Sequence, residues 1–304
     1  MGSWATYGLG TQNRNLPSYV VLNGGRIPSG GLDNFSNGFL PASFQGSLLN
    51  AQGTALANIS PNEVQGSVQQ IKRDLARKLN LELLRLSGPV DALESAIANA
   101  ELAARMQTVA KDALDISQED PDIRARYGDG KPYEYQYDGA STNNELILAA
   151  RRLVEVGVRC VSLTYGRWDS HGNNEGMVRH HGVRIDQAVA ALVTDLEERG
   201  MLNDVTVLVW GEFGRTPRIN KGAGRDHWPQ VSCAYIAGGG IQGGQAIGST
   251  NRLGERAQTR PVHVQEIFAT VYKNLGIDVR TATVKDPAGR PQYLSHMEPI
   301  KEIV

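Results

Sequence analysis

The sequence predicts an α/β fold: a mostly parallel sheet with helices on both faces, plus a helical-pair insertion. Three observations predict it. From Thr142 onward, short apolar runs of strand length alternate with longer segments whose apolar residues recur at helical spacing. Glycines stand where those helices should stop, at Gly157, Gly200 and Gly276. The chain has 304 residues, 40% hydrophobic and 21% charged, enough to bury the core of one large α/β domain spanning 1–304.

Taken in order, residues 1–60 are rich in Gly, Asn and Ser, and only Tyr19-Val20-Val21-Leu22 reads as a strand. No regular element is expected before about Ser18. Ser60-Pro61-Asn62-Glu63 is a capping box, and Val64, Val68, Ile71, Leu75 and Leu79 follow at helical spacing. After Gly88-Pro89 a second helix is expected over 91–114, with Leu93, Ile97, Ala100 and Ala104 on one face. The two helices read as an antiparallel pair inserted over 60–117. Residues 119–140 are polar, contain Pro121, Gly128, Gly130 and Pro132, and read as a connection.

Thr142-Asn143-Asn144-Glu145 is a second capping box, opening a helix through Leu146, Ala149, Leu153 and Val156. A strand over 158–164 follows, then a polar loop over 165–174. A long helix over 175–200 has the expected core face Val178, Ile185, Val189, Leu192 and Leu196. Strands over 205–210 and 232–237 and a last helix over 264–275 complete the pattern.

Composition excludes several functions. The formal net charge is -1, so the basic excess of a nucleic-acid-binding surface is absent. No apolar stretch is long enough to span a membrane, and no signal peptide precedes the first structured segment. Cys160 and Cys233 each sit in an apolar run and read as buried strand residues; there is no CxxC motif and no disulfide framework.

Chemistry is expected where strands run out at their carboxyl ends. The first strand end leads into Gly166-Arg167-Trp168-Asp169-Ser170-His171-Gly172-Asn173-Asn174, the second into Gly211-Glu212-Phe213-Gly214-Arg215-Thr216-Pro217. A third cluster, Gly224-Arg225-Asp226-His227-Trp228-Pro229, precedes the strand at 232 and reaches the same edge only if that strand is antiparallel. Carboxylate oxygens and imidazole nitrogens without thiolates suit a divalent cation: Zn, Mn, Mg or Ca. The candidate ligands are Asp169, His171, Glu212, Asp226 and His227, with Arg215 and Arg225 (and Arg167 beside them) able to stabilise charge on a transferred anionic group. Singly, each residue is explained at least as well by a turn, a cap or a local pair; together, three clusters each beside an arginine favour a site. His181 falls on the core side of its helix and reads as a buried structural histidine, while His180 falls on the polar face. His263 reads as a surface or capping residue. The run Gly238-Gly239-Gly240 lacks a phosphate-binding lysine and reads as a turn.

At these clusters the chain resembles the DUF1501 family, a bacterial, sulfatase-like branch of the alkaline phosphatase superfamily. The residues carrying the likeness are Trp168 to Asn174, Gly211 to Pro217, Gly224 to Pro229 and Ala237 to Gly244. The resemblance implies an alkaline-phosphatase-like fold and an exported, metal-dependent hydrolase ancestry acting on phosphate or sulfate esters, hence a small anionic ester as partner. It implies metal ligands at Asp169, His171, Glu212 and His227, with Asp226 adjacent. It also implies that Met1 aligns with the interior of the family domain, so that the superfamily's nucleophile and one aspartate ligand fall outside this sequence. Two departures stand out: Phe213 occupies a place where related phosphatases carry a histidine, and the Asp169–His171 spacing is shorter than usual. Non-catalytic binding or scaffolding and a truncated fragment are the alternatives. If a central strand is absent, the exposed sheet edge predicts self-association.

Overall fold

The computed structural model describes residues 1–24, 30–50, 66–88, 90–135 and 141–304. The capping box at 60–63, Val64 and Pro89 lie outside the described residues. The chain divides into two compact units, the first comprising 1–125, 129–134 and 140–166, the second 126–128, 135–139 and 167–304.

The first unit is built on a three-stranded parallel sheet, ordered β2-β1-β3, with β1 at Tyr19–Asn23, β2 at Ser47–Asn50 and β3 at Cys160–Leu163. β1 is buried along Tyr19, Val20, Val21 and Leu22, as a parallel strand covered on both faces must be. Side chains alternate across a strand. Val20 and Leu22 enter the main core with Leu49, Met106, Ala110, Ala113, Ala149, Leu153 and Val158. These come from α3 (Asp91–Leu114) and α5 (Glu145–Glu155) and from the segments around them. Tyr19 points the other way, toward α1 (Gly2–Leu9), where a Cβ on Gly2 would collide with its ring.

Helix α1 and strand β2 correct the reading of residues 1–60 as irregular apart from one strand. The α1 face that is buried consists of Gly2, Ser3, Ala5 and Thr6, small or polar residues that produce no apolar periodicity. Thr6 Oγ1 donates to the Gly2 and Ser3 carbonyls, satisfying its own hydroxyl within the helix. Trp4 and Tyr7 on the other side meet Phe39 and Phe44 edge to face.

α2 (Gly66–Ser87) and α3 run antiparallel: Arg73 reaches the Ala104 carbonyl at 3.5 Å while Arg77, later in α2, faces Glu101, earlier in α3, at 3.8 Å. The α2 face expected in the core is exposed instead, with Ile71 at 67%, Leu75 at 57% and Leu79 at 62%. The side of α2 carrying Arg73 and Arg77 is the one turned to α3. Among the described side chains of α3 the buried ones are Ser95, Met106, Ala110 and Ala113, while the expected Ala100 is exposed.

α4 (Pro121–Tyr127) replaces the expected connection. Asp120 accepts from the Asp122 backbone N–H at 2.8 Å, with proline in the first helical position. α5 begins at Glu145, and Asn143 Oδ1, not Thr142, accepts from the Glu145 backbone N–H. Thr142 is occupied by a two-way backbone bridge to Tyr133. Within α5, Arg151 is fully buried, its Nη2 held by Glu119 and its Nη1 donating to Glu155 at 2.5 Å.

In the second unit, α6 (Asn174–Glu198) starts at Asn173, whose Oδ1 accepts from Gly176 N–H. Its buried residues are Met177, His181, Ala188, Ala191, Asp195 and Leu196, so Val178, at 44% exposure, is not in the core. His181 is fully buried as expected, with the Trp168 ring centroid 5.5 Å away. Asp195 accepts from the Tyr127 hydroxyl at 3.0 Å and from Arg199 Nε at 2.6 Å.

Strands β4 (Thr206–Trp210) and β7 (Ala234–Gly238) pair antiparallel, Trp210 opposite Ala234. The single mostly parallel sheet is thus not what the described strands form: the parallel ladders belong to β1, β2 and β3, and β4 pairs only with β7. Cys233 is exposed and precedes β7, correcting its expected burial; Cys160 is half-buried in β3. Short pairs complete the unit: β5 (Gly214–Arg215) with β6 (His227–Trp228), β8 (Ser249–Thr250) with β9 (Ala257–Thr259), and β10 (Thr283–Lys285) with β11 (Pro291–Tyr293). α7 (Val264–Asn274) is capped by His263, whose side chain accepts from Gln265 N–H while Glu266 accepts from His263 N–H. Gly238, Gly239 and Gly240 all have positive φ, the turn expected there. No helix among the described residues is long and apolar enough to cross a membrane.

Two outcomes are expected. Arg151→Ala leaves the buried Glu119 carboxylate without its fully buried guanidinium and costs about 3–5 kcal/mol, read as a lowered urea midpoint; a loss below about 1 kcal/mol would contradict this role. Arg260 Nε donates to Glu302 at 2.6 Å, which pulls the Glu302 carboxyl down to about 2. Because the folded value is depressed, its contribution is present above the unfolded value of about 4.3 and is lost as pH falls toward the folded one. Thermal unfolding between about pH 4.5 and 2 should therefore be less pH-dependent in Glu302→Gln than in the parent chain.

Candidate metal centre

Three short segments of the second unit build the site. The antiparallel β4–β7 register puts the segment after Trp210 and the segment before Ala234 at one edge. Just beyond, β5 and β6 pair with Arg215 directly opposite His227, which sets the two side chains on the same face. The third segment is the loop through Asp169 and His171. It is stitched to 220–225 by a Gly172–Ala223 bridge. Asn173 N–H donates to Gly222 O at 3.0 Å, Asn174 N–H to Ala223 O at 2.9 Å, and Arg225 N–H to Ser170 O at 2.8 Å.

Gly224 is buried at this seam, and a Cβ there would fall on the backbone of His171 and Gly172. Asn173 and Ala223, on facing sides of the bridge, both adopt left-handed φ, 44° and 56°. Backbone strain of this kind collects where a site's geometry is over-determined.

Three ligand atoms converge. Asp169 Oδ1 lies 3.0 Å from His171 Nε2 and 3.1 Å from His227 Nε2, and the two imidazole nitrogens lie 3.2 Å apart. The short Asp169–His171 spacing is no obstacle, because Ser170 N–H and His171 N–H bond two residues back, to Trp168 O and Asp169 O, and curl the chain on itself. Asp226 Oδ1 lies 2.8 Å from His171 Nδ1. Hydrogen bonds from His171 first, then Asn220, hold the Asp226 carboxyl below its ordinary value, so it is an anionic acceptor. The His171 Nδ1–H therefore donates to Asp226, and the ring turns its Nε2 toward Asp169 and His227.

Partial burial alone would raise the Asp169 carboxyl. Hydrogen bonds from Arg215 and His227, the charge of Arg215 and a bond from Arg167 outweigh it and hold the group well below the usual carboxylate range. Arg215 Nη1 donates to Oδ1 at 2.7 Å and Arg167 Nη2 to Oδ2 at 3.4 Å. Tetrahedral coordination at zinc bond lengths would space a carboxylate oxygen and two imidazole nitrogens by about 3.3 Å. The donor set, one oxygen and two nitrogens with His171 oriented by Asp226, fits a divalent cation.

Of the residues expected in the site, Asp169, His171 and His227 form this group and Asp226 stands behind His171. Glu212 is exposed and is not a member of the group among the described residues. Arg225 does not face the triad as a charge clamp. Its Nη1 donates to the Thr216 and Pro217 carbonyls at 2.5 and 2.7 Å and braces the β5 loop. Phe213 lies against the His227 ring, centroids 4.6 Å apart, and walls that side of the group. Asn220, which the sequence reading passed over, bonds both His171 O and Asp226. The signal for it was the Asn-x-Gly-x-Gly run from Asn220 to Gly224, a sequence whose asparagine can accept from backbone N–H groups ahead of it.

An α/β chain whose loops gather two histidines and an ionised aspartate around one point, with an arginine at the same carboxylate, has the donor set of a metalloprotein. Residues 1–304 match the family model described as "Protein of unknown function (DUF1501)", and the chain belongs to that family. No curated protein and no solved structure matches it.

The seam at Gly224 is testable. Gly224→Ala should cost about 1–3 kcal/mol by overpacking, seen as a lower melting temperature. It should also shift the side-chain ¹⁵N resonances of His171. Gly222→Ala, whose Cβ would meet Asn220 Oδ1 at 3.4 Å, His171 O at 3.5 Å and Gly172 Cα at 3.9 Å, should leave both nearly unchanged. Equal effects from the two substitutions would contradict the close approach at Gly224.

Proposed function

We propose that the chain is a metal-dependent hydrolase-family domain of alkaline-phosphatase-like ancestry, acting on phosphate or sulfate esters. One observation carries the reading: the convergence of Asp169 Oδ1, His171 Nε2 and His227 Nε2 within 3.2 Å, with the His171 proton directed away to Asp226. A divalent cation held there would supply Lewis-acid polarisation of an ester oxygen and activation of a water.

The residues themselves do the rest. Asp226 fixes the tautomer of His171. Arg215, only 18% exposed at its side chain, keeps Asp169 ionised and brings a guanidinium to the point where an anionic group would bind. Phe213 excludes water from one side of His227. A small anionic ester is the substrate class that matches this charge pattern. Export is the location that goes with the family resemblance.

A second reading, a binding protein that keeps one metal without catalysis, is favoured by one observation. Two hydroxyls of the loops that build the site are engaged elsewhere. Ser170 is buried and donates to Asn174 Oδ1 at 2.5 Å, and Thr216 donates to Arg218 O at 2.8 Å.

Elemental mass spectrometry of the purified chain decides first. About one equivalent of a divalent metal is expected, lost in the Asp169→Ala/His227→Ala double variant. A metal-free chain even after reconstitution would sink the proposal. With metal present, hydrolysis of aryl phosphates or sulfates that falls about 10²–10³-fold in Arg215→Ala supports the enzyme. Metal without turnover supports the binding protein.

A further inference from the structure

We infer that Asn220 is a positioning residue of the metal centre, acting through Asp226 on the imidazole of His171. The inference rests on the metal-site reading above.

An asparagine side chain offers two N–H donors and an oxygen with two lone pairs. Asn220 uses all four. Oδ1 accepts from Gly222 N–H and Gly224 N–H, each at 2.9 Å. Nδ2 donates to His171 O at 3.0 Å and to Asp226 Oδ1 at 3.1 Å. The orientation of the amide follows from its partners, since two backbone N–H groups require an oxygen and a carbonyl with a carboxylate require the NH₂.

The consequence is specific to His171. Its backbone carbonyl is held directly by Asn220, and its ring is held at Nδ1 by the carboxylate that Asn220 also holds. Asp226 is more than half exposed at its side chain, so its hydrogen bonds do most to fix its rotamer. With Nδ2 in place, Oδ1 of Asp226 is locked between Asn220 and His171, so Nε2 of His171 stays aimed at Asp169 and His227. Aspartate at 220 keeps an acceptor for the two glycine amides but has no donor for His171 O and sets a second negative charge against Asp226. Outer partners of metal-bound histidines act in this way, and their loss typically weakens affinity about 10–100-fold.

The test is a double-mutant cycle on zinc affinity, measured by chelator competition on Asn220→Ala, Asp226→Ala and the double variant. Asn220→Asp serves as the control that keeps the loop's acceptor oxygen. Both Asn220 variants should bind zinc about 10–100-fold more weakly than the parent. In the Asp226→Ala background, Asn220→Ala should cost clearly less than in the parent, because the path through Asp226 is gone and only the hold on the His171 carbonyl remains. The visible absorption of the cobalt-loaded chain should change in Asn220→Asp as the His171 ligand loosens. Unchanged affinity in both Asn220 variants overturns the inference and leaves the metal site standing. So does an equal loss in both backgrounds, which would assign Asn220 to loop folding alone. A parent chain that binds neither zinc nor another divalent metal overturns the metal-site reading and this inference with it.

Discussion

Backbone hydrogen bonds between 170–174 and 222–225 are the constraint on which the site depends. Neither segment is a strand of the sheets, and each is a polar, glycine-rich loop of a kind that would ordinarily be solvated. Joined edge to edge, they satisfy one another's N–H and C=O groups. The join brings His171 from one segment beside Asp226 and His227 from the other. Its tolerances are narrow, because Gly224 passes against the His171 backbone where no side chain fits. Asn173 and Ala223 accept left-handed backbone to let the two chains meet.

On that frame the electrostatics are opposed and then balanced. Two imidazole nitrogens and one carboxylate oxygen are held at about hydrogen-bond distance, and the negative charge of Asp169 is met by bonds from His227 and Arg215. The arginine thus does for the apo chain some of what a metal would do for the loaded one, and it remains beside the site as the positive group for an anionic ligand. Asp226 acts from behind, deciding which nitrogen of His171 carries the proton.

The residues of the centre were legible where chemistry announces itself: acids, histidines and arginines in three short clusters. Asn220 was not, because an asparagine in a glycine-rich loop reads as turn chemistry until its partners are known. A sequence likewise shows the Arg225 guanidinium but not the two carbonyls that its Nη1 meets. Glu212 shares its motif with Arg215, yet only the latter lies in the β5–β6 pair that faces the triad. The same limit governed the fold. α1 hides behind a buried face of small polar residues, and α4 behind a proline that marks a first turn as readily as a break.

Local physics wrote most of the elements into the sequence: the apolar strands at β1, β3, β4 and β7, the helices α5, α6 and α7, and the His263 cap follow from periodicity and capping, which depend on neighbours a few residues away. Pairing does not. That β4 takes β7 antiparallel, that α2 turns its leucines outward, and that Asp169, His171 and His227 meet at one point are decided by contacts between residues tens of positions apart. No local preference encodes those distances; they arise only when the backbone groups of separate loops find each other as partners.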